Sequence, residues 1–163
     1  MGKCFNFYEC RQEDRGNKNF LCRDCERKIK IYISDTYLKN GLIDDRGKVR
    51  IDLVVDEARK IANYLSWTGK MTSTGLRKFY AKMKAIEGLY RANQDWPEIA
   101  IRLKTMIQNA EYSAKRETVP EIWVTIIEKN INEAIKSDRH FAAMLNHMQG
   151  IVAFFKENKE GRR

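Results

Sequence analysis

The residues best equipped for chemistry lie near the N-terminus. All four cysteines, Cys4, Cys10, Cys22 and Cys25, fall within residues 1–33, in the spacing C-x5-C-x11-C-x2-C. Zinc takes four soft ligands in a tetrahedron, and two cysteine pairs joined by a short loop supply them. Cys22-Arg23-Asp24-Cys25 has the spacing of a knuckle, while the Cys4 to Cys10 step is wider than the usual one. Four thiolates leave no position for water, so the expectation is a structural zinc and not a catalytic one. Two weaker readings stand beside it. Four unrelated thiols are one, and a redox Cys-x-x-Cys is the other, although that would need a βαβ context the pattern lacks. The opening MGKCFNFYEC is not a charged segment followed by an apolar run, so no secretory signal is read. A reducing, cytoplasmic setting without disulfides is the resulting expectation.

The second chemistry is electrostatic. The net charge is +9, and it is unevenly spread. Residues 1–33 carry eight basic and five acidic side chains, and residues 70–116 carry ten and four. Residues 34–69 balance at six each and residues 117–163 at seven each. A localised excess points to a polyanionic partner, whereas a uniform one mainly serves solubility. Within the middle segment Arg77, Lys84 and Arg91 recur every seven residues, so they follow one line along a helix with a drift of only about 20° per step. Such a line could track a phosphate backbone, or be the solvated face that most surface helices carry.

These residues need elements to hold them. Lys28 to Ile33 alternates as KIKIYI, which predicts a short strand in the cysteine module; Ser34 to Lys39 predicts a short helix ended by Asn40-Gly41. Asp44-Asp45-Arg46-Gly47 reads as a turn. From Ile51 the pattern is helical. Ile51, Val54, Val55, Ala58, Ile61, Ala62 and Leu65 fit one face. Leu76, Phe79, Tyr80, Met83, Ile86 and Tyr90 fit the next, behind a cap at Thr72, Ser73 or Thr74. Asp95, Pro97 and Glu98 open a third helix in a capping-box arrangement. Thr118 and Pro120 open a fourth, and Ser137 or Asp138 a fifth. The fold class read from this is all-α. It is a compact antiparallel bundle of about five helices over 51–157, preceded by a Cys4 zinc-ribbon-like module over 1–40 and a linker over 41–50, and followed by a frayed basic tail over 158–163. No window approaches a membrane-spanning length of apolar residues.

Catalytic patterns are missing. There is no Gly-rich phosphate loop and no G-x-S-x-G. His140 and His147, the only histidines, share one side of the last helix without a nearby acid–base partner in the pattern. The chain is therefore expected not to be an enzyme.

Three stretches carry a family resemblance. Met71-Thr72-Ser73-Thr74-Gly75-Leu76-Arg77-Lys78-Phe79 looks like a T-x-x-Q-[IL]-R-[KR]-[FI] helix start, with Gly75 in the place of the glutamine. Leu103 to Arg116 is similar to a lysine-rich L-x-x-L…A-Y-x-x-x-R segment, with Gln108-Asn109-Ala110-Glu111 in its middle. Phe141 to Lys156 is similar to an ending of the form E-A-[IV]-V-A-Y-x-K. Together they span roughly 51–156, and they resemble the small subunit of type III-A CRISPR–Cas effector (Csm) complexes. The resemblance implies a non-catalytic helical subunit. It would stand side by side with copies of itself, among other subunits of the complex, and hold guide RNA and single-stranded target RNA by their backbones. Arg77, Lys78, Lys104 and Arg116 match basic positions of the motifs. Lys70, Lys84, Arg91, Arg102 and Lys115 join them from the basic bias alone. A zinc-containing DNA-binding regulator and a helical protein–protein adaptor are the alternatives to an RNA-binding subunit.

Overall fold

The computed structural model describes residues 2–3, 13–14 and 22–158. The chain divides into two compact units, Met1–Lys39 and Asn40–Arg163.

In the first unit two short strands, β1 (Gly2–Lys3) and β2 (Glu13–Asp14), pair antiparallel with Gly2 opposite Asp14. Helix α1 spans Arg23–Ile31 and runs on into a π-helical turn, Tyr32–Thr36, closed by Tyr37 N–H on the Tyr32 carbonyl at 2.7 Å. The strand expected at 28–33 is therefore a helix. Cys25, Ile29 and Ile33 recur four apart, and Cys25 and Ile33 are buried. That helical period outweighs the local alternation, and it is reinforced by acids in the first turn, Asp24 and Glu26, and bases in the last, Lys28 and Lys30.

The second unit opens with the turn expected at Asp44-Asp45-Arg46-Gly47. The Asp44 Oδ1 accepts from the N–H groups of Arg46 and Lys48, and Gly47 takes a positive φ of 72°. These bonds, the Lys48 one foremost, hold the Asp44 carboxyl below its ordinary range. An Ile43–Val49 bridge follows, and Leu42 is fully buried. Six α-helices come next. They are α2 (Ile51–Val54), α3 (Asp56–Thr68), α4 (Ser73–Asn93), α5 (Trp96–Lys115), α6 (Ile122–Ala134) and α7 (Asp138–Phe154). The single helix expected from Ile51 is broken at Val55 (φ −121°, ψ −63°), which makes six where about five were expected.

Helix α7 is the hub, packed against α2, α3, α4 and α6, while α5 packs on α4 and α6. Gly150 lets α7 approach the α2–α3 junction. A Cβ there would lie 2.6 Å from the Val54 carbonyl oxygen, too close for any side chain. One turn earlier the buried His147 donates from Nδ1 to the Leu53 carbonyl at 2.7 Å, the tautomer this contact requires. Between α4 and α6, Phe79 meets the fully buried Trp123 edge-on at 5.4 Å.

The caps follow the pattern at three starts and depart from it at a fourth. Thr72 Oγ1 accepts from Gly75 N–H at 2.9 Å, Asp95 Oδ1 from Glu98 N–H at 3.4 Å, and Ser137 Oγ from His140 N–H at 3.3 Å. Glu98, expected to complete a capping box, instead pairs with Arg102 at 2.8 Å. Thr118 closes α5 and does not open α6: its hydroxyl donates to the Ser113 carbonyl at 3.0 Å. The C-terminal segment is fastened as far as Glu157, whose Oε2 accepts from Ser73 N–H at 3.1 Å, and Lys156 gives its carbonyl to the Ser66 hydroxyl. Residues 159–163 of the expected tail lie outside the described residues.

Candidate nucleic-acid interface

Helix α4 carries cations on two flanks. Residues are about 100° apart on a helix, so the line Arg77, Lys84, Arg91 and the pair Lys78, Lys82 lie on opposite sides of the buried stripe Leu76, Phe79, Met83. The first flank is largely compensated. Glu87 stands three residues after Lys84 and four before Arg91, and its carboxylate binds both, Arg91 at 2.8 Å. Arg77 alone of the three has no ion-pair partner among the described residues.

The other flank opens on a groove of about 1070 Å³. Lys70, Lys78 and Lys82 line it from α4 and the loop before it; Ser113, Glu117 and Thr118 line it from the end of α5 and the turn beyond. Gly75 lines it with backbone only, and a Cβ there would lie 3.0 Å from the capping Thr72 hydroxyl. All three lysines are exposed, and none has a hydrogen bond or ion pair among the described residues. Lys78 and Lys82 are one turn apart, a spacing at which like charges repel by about 0.2–0.5 kcal/mol. The α4 N-terminus itself is already taken by Thr72 and the Glu157 carboxylate, so attraction for an anion here comes from the ammonium groups and not from open helix N–H groups.

The structure thus brings two of the expected residues, Lys70 and Lys78, to one groove and adds Lys82, which the line of seven passed over. A signal for Lys82 was present. Neither Lys78 nor Lys82 has an acid three or four residues away on α4, whereas Glu87 is so placed for both Lys84 and Arg91. The α5 cations are dispersed. Arg102 pairs with Glu98, Lys104 Nζ donates to Asn132 Oδ1 at 2.6 Å, and the Arg116 guanidinium lies 5.6 Å above the Tyr112 ring, with Nη1 donating to its hydroxyl. Lys115 is exposed and makes no ion pair among the described residues.

Of the expected metal ligands, Cys4 and Cys10 lie outside the described residues. Cys22 and Cys25 are both buried at the start of α1, where Cys22 is the N-cap and its Sγ accepts from Cys25 N–H at 3.4 Å. Among the described residues no group of three or more His, Cys, Asp or Glu could hold a metal ion. Nδ1 of His140 meets the Ser137 hydroxyl, and Nδ1 of His147 meets the Leu53 carbonyl.

The second unit is thus a helical unit whose basic excess lies in the segment of α4 and α5. A family model described as Csm2 Type III-A matches residues 48–160, and the chain belongs to that family. The match takes in α2 to α7 and leaves the cysteine-bearing segment outside it. No curated protein and no solved structure matches the chain. Family membership makes it a component that assembles with other type III-A effector subunits. No described helix is long and apolar enough to cross a membrane.

Proposed function

We propose that this chain is a non-catalytic, RNA-binding structural subunit of its effector complex in the cytoplasm. It holds guide RNA and single-stranded target RNA through the phosphate backbone and stands beside copies of itself. The observation that carries this reading is the lysine groove: three uncompensated ammonium groups around one groove, on a chain of this family. Phosphate contacts fix register without reading bases, so binding should not depend on sequence. The test is a gel shift of the full chain at low salt. Equal retention of unrelated single-stranded RNAs supports the reading. Tight binding to one duplex sequence favours a DNA-binding regulator, and no binding to either, alone or with its partner subunits, leaves a protein–protein adaptor.

We also propose that the N-terminal unit holds a structural zinc through Cys4, Cys10, Cys22 and Cys25. Two buried thiols one turn apart at the start of a helix, one of them accepting a backbone N–H, suit a soft metal. Bound zinc would contribute its binding energy to the folding of that unit. The full chain purified from zinc-supplied cells should carry about one zinc. Metal-free protein with four titratable thiols would refute this.

A further inference from the structure

The groove contains a group that phosphate binding does not explain. Glu117 lines it and makes no ion pair among the described residues. A carboxylate in a phosphate site repels the ligand, so this side chain calls for a different role.

The backbone sharpens the question. Glu117 N–H bonds the Ala114 carbonyl at 2.9 Å, and Thr118 N–H bonds the Ser113 carbonyl at 3.0 Å. These two bonds make the helix-ending turn in which the residue after the cap is left-handed, a place usually held by glycine. Glu117 holds it at φ 56°. Glycine would be cheaper in backbone energy, because it has no Cβ to meet the following carbonyl. Glutamate stands there nonetheless, and its side chain lines the groove.

A carboxylate accepts hydrogen bonds and donates none. The hydroxyl that RNA has and DNA lacks is a donor at every nucleotide. We propose that the groove selects RNA over DNA: Lys78 and Lys82, with Lys70, hold backbone phosphates of a single strand, and the Glu117 carboxylate accepts a hydrogen bond from a ribose 2′-hydroxyl. The inference rests on the RNA-binding reading above, and it assigns the selectivity to one residue.

The test uses the full chain with a uridine homopolymer RNA and the deoxyuridine homopolymer of equal length. The wild-type chain binds the RNA better by roughly tenfold, the worth of one hydrogen bond to a charged acceptor. Glu117→Gly abolishes that preference, with RNA affinity falling and DNA affinity equal or higher, since a repelling charge is gone. The same variant unfolds at an equal or higher denaturant concentration, so lost selectivity cannot be blamed on misfolding. Glu117→Gln, whose amide oxygen still accepts, keeps part of the preference. Retained RNA preference in Glu117→Gly overturns the assignment. So does unchanged RNA affinity in Lys78→Gln/Lys82→Gln, since the RNA then lies elsewhere while the RNA-binding reading stands. Failure of the wild-type chain to bind RNA, alone or assembled with its partner subunits, overturns that reading itself.

Discussion

The two flanks of α4 carry similar numbers of cations and differ in what those cations are doing. On one, Glu87 engages Lys84 and Arg91 and leaves Arg77 alone. On the other, Lys70, Lys78 and Lys82 surround a groove and make no ion pair among the described residues. Exposed pairs contribute little to stability, about 0–1 kcal/mol. Yet a paired cation must give up its partner before it can neutralise a phosphate. Charge available to a ligand is set by local pairing and not by the count along a helix.

The comparison holds only while α7 keeps α4 seated, and the largest expected effect concerns that support. His147 on α7 is fully buried, and burial lowers its pKa to about 4 from an ordinary 6.5. The facing charges are Asp52, which favours the imidazolium, and Arg50, which opposes it. Folded chain thus holds neutral imidazole, while unfolded chain takes a proton below pH 6.5. The stability tied to the neutral ring is complete above pH 6.5, falls as pH drops towards 4, and is lost by then to the extent of about 3 kcal/mol. Denaturant titrations of the wild-type chain and of His147→Phe across this range test it. The variant starts less stable, because the Leu53 carbonyl loses its donor, but should show a flatter pH profile. Parallel profiles would remove His147 as the cause. Binding to the two flanks is best compared at neutral pH.

Much of this frame was legible in the residues. Thr72, Asp95 and Ser137 cap helices as their hydroxyl or carboxylate chemistry predicts, and the buried stripes of α4 to α7 follow the spacing of apolar residues. What was not legible depended on tertiary partners. Val55 breaks a continuous helical pattern where the Leu53 carbonyl meets a histidine 94 residues away in sequence. The alternation at KIKIYI lost to a period that only the burial of Cys25 and Ile33 reveals. The seven-residue cation line is regular, but Glu87 lies between two of its members and pairs with both, so regular spacing alone does not mark charge available to a ligand. The groove needed the end of α5 brought against α4, which no local pattern states.

The next largest effect separates the flanks directly. Lys70→Gln/Lys78→Gln/Lys82→Gln should flatten the slope of log affinity against log salt for single-stranded RNA by about 2, three contacts at roughly 0.7 each. Arg77→Ala/Lys84→Ala/Arg91→Ala should flatten it by no more than about 0.7, the share of Arg77. Equal losses from the two triple variants would show that pairing does not decide which cations act. A larger loss from the second would move the RNA to the opposite flank.

A smaller effect should follow from releasing the paired cations. Glu87→Gln keeps the side chain's size and removes its charge, so Lys84 and Arg91 become available. RNA affinity should rise, and the salt slope should steepen by up to about 1.4 if both reach phosphates. An unchanged slope would place that flank away from the RNA altogether, whatever its charge.

The smallest effect runs against the binding effect in sign. Lys78 and Lys82 repel each other across one turn of α4, and no neighbouring acid offsets this. Lys78→Glu would place a carboxylate four residues before the Lys82 ammonium, the favourable order along a helix. The like-charge penalty is replaced by an ion pair, so the isolated chain should be more stable by about 0.5 kcal/mol, while its RNA affinity drops. The same substitution on the other flank, Arg77→Glu, gains less, because its neighbours four residues away are Ser73 and Ala81, which offer no cation to pair. Thermal unfolding and RNA titration of both variants give the comparison. If Lys78→Glu destabilises the chain, the lysine pair is held by something other than function, and the case for the groove loses the argument that its charges are kept at a cost to the fold.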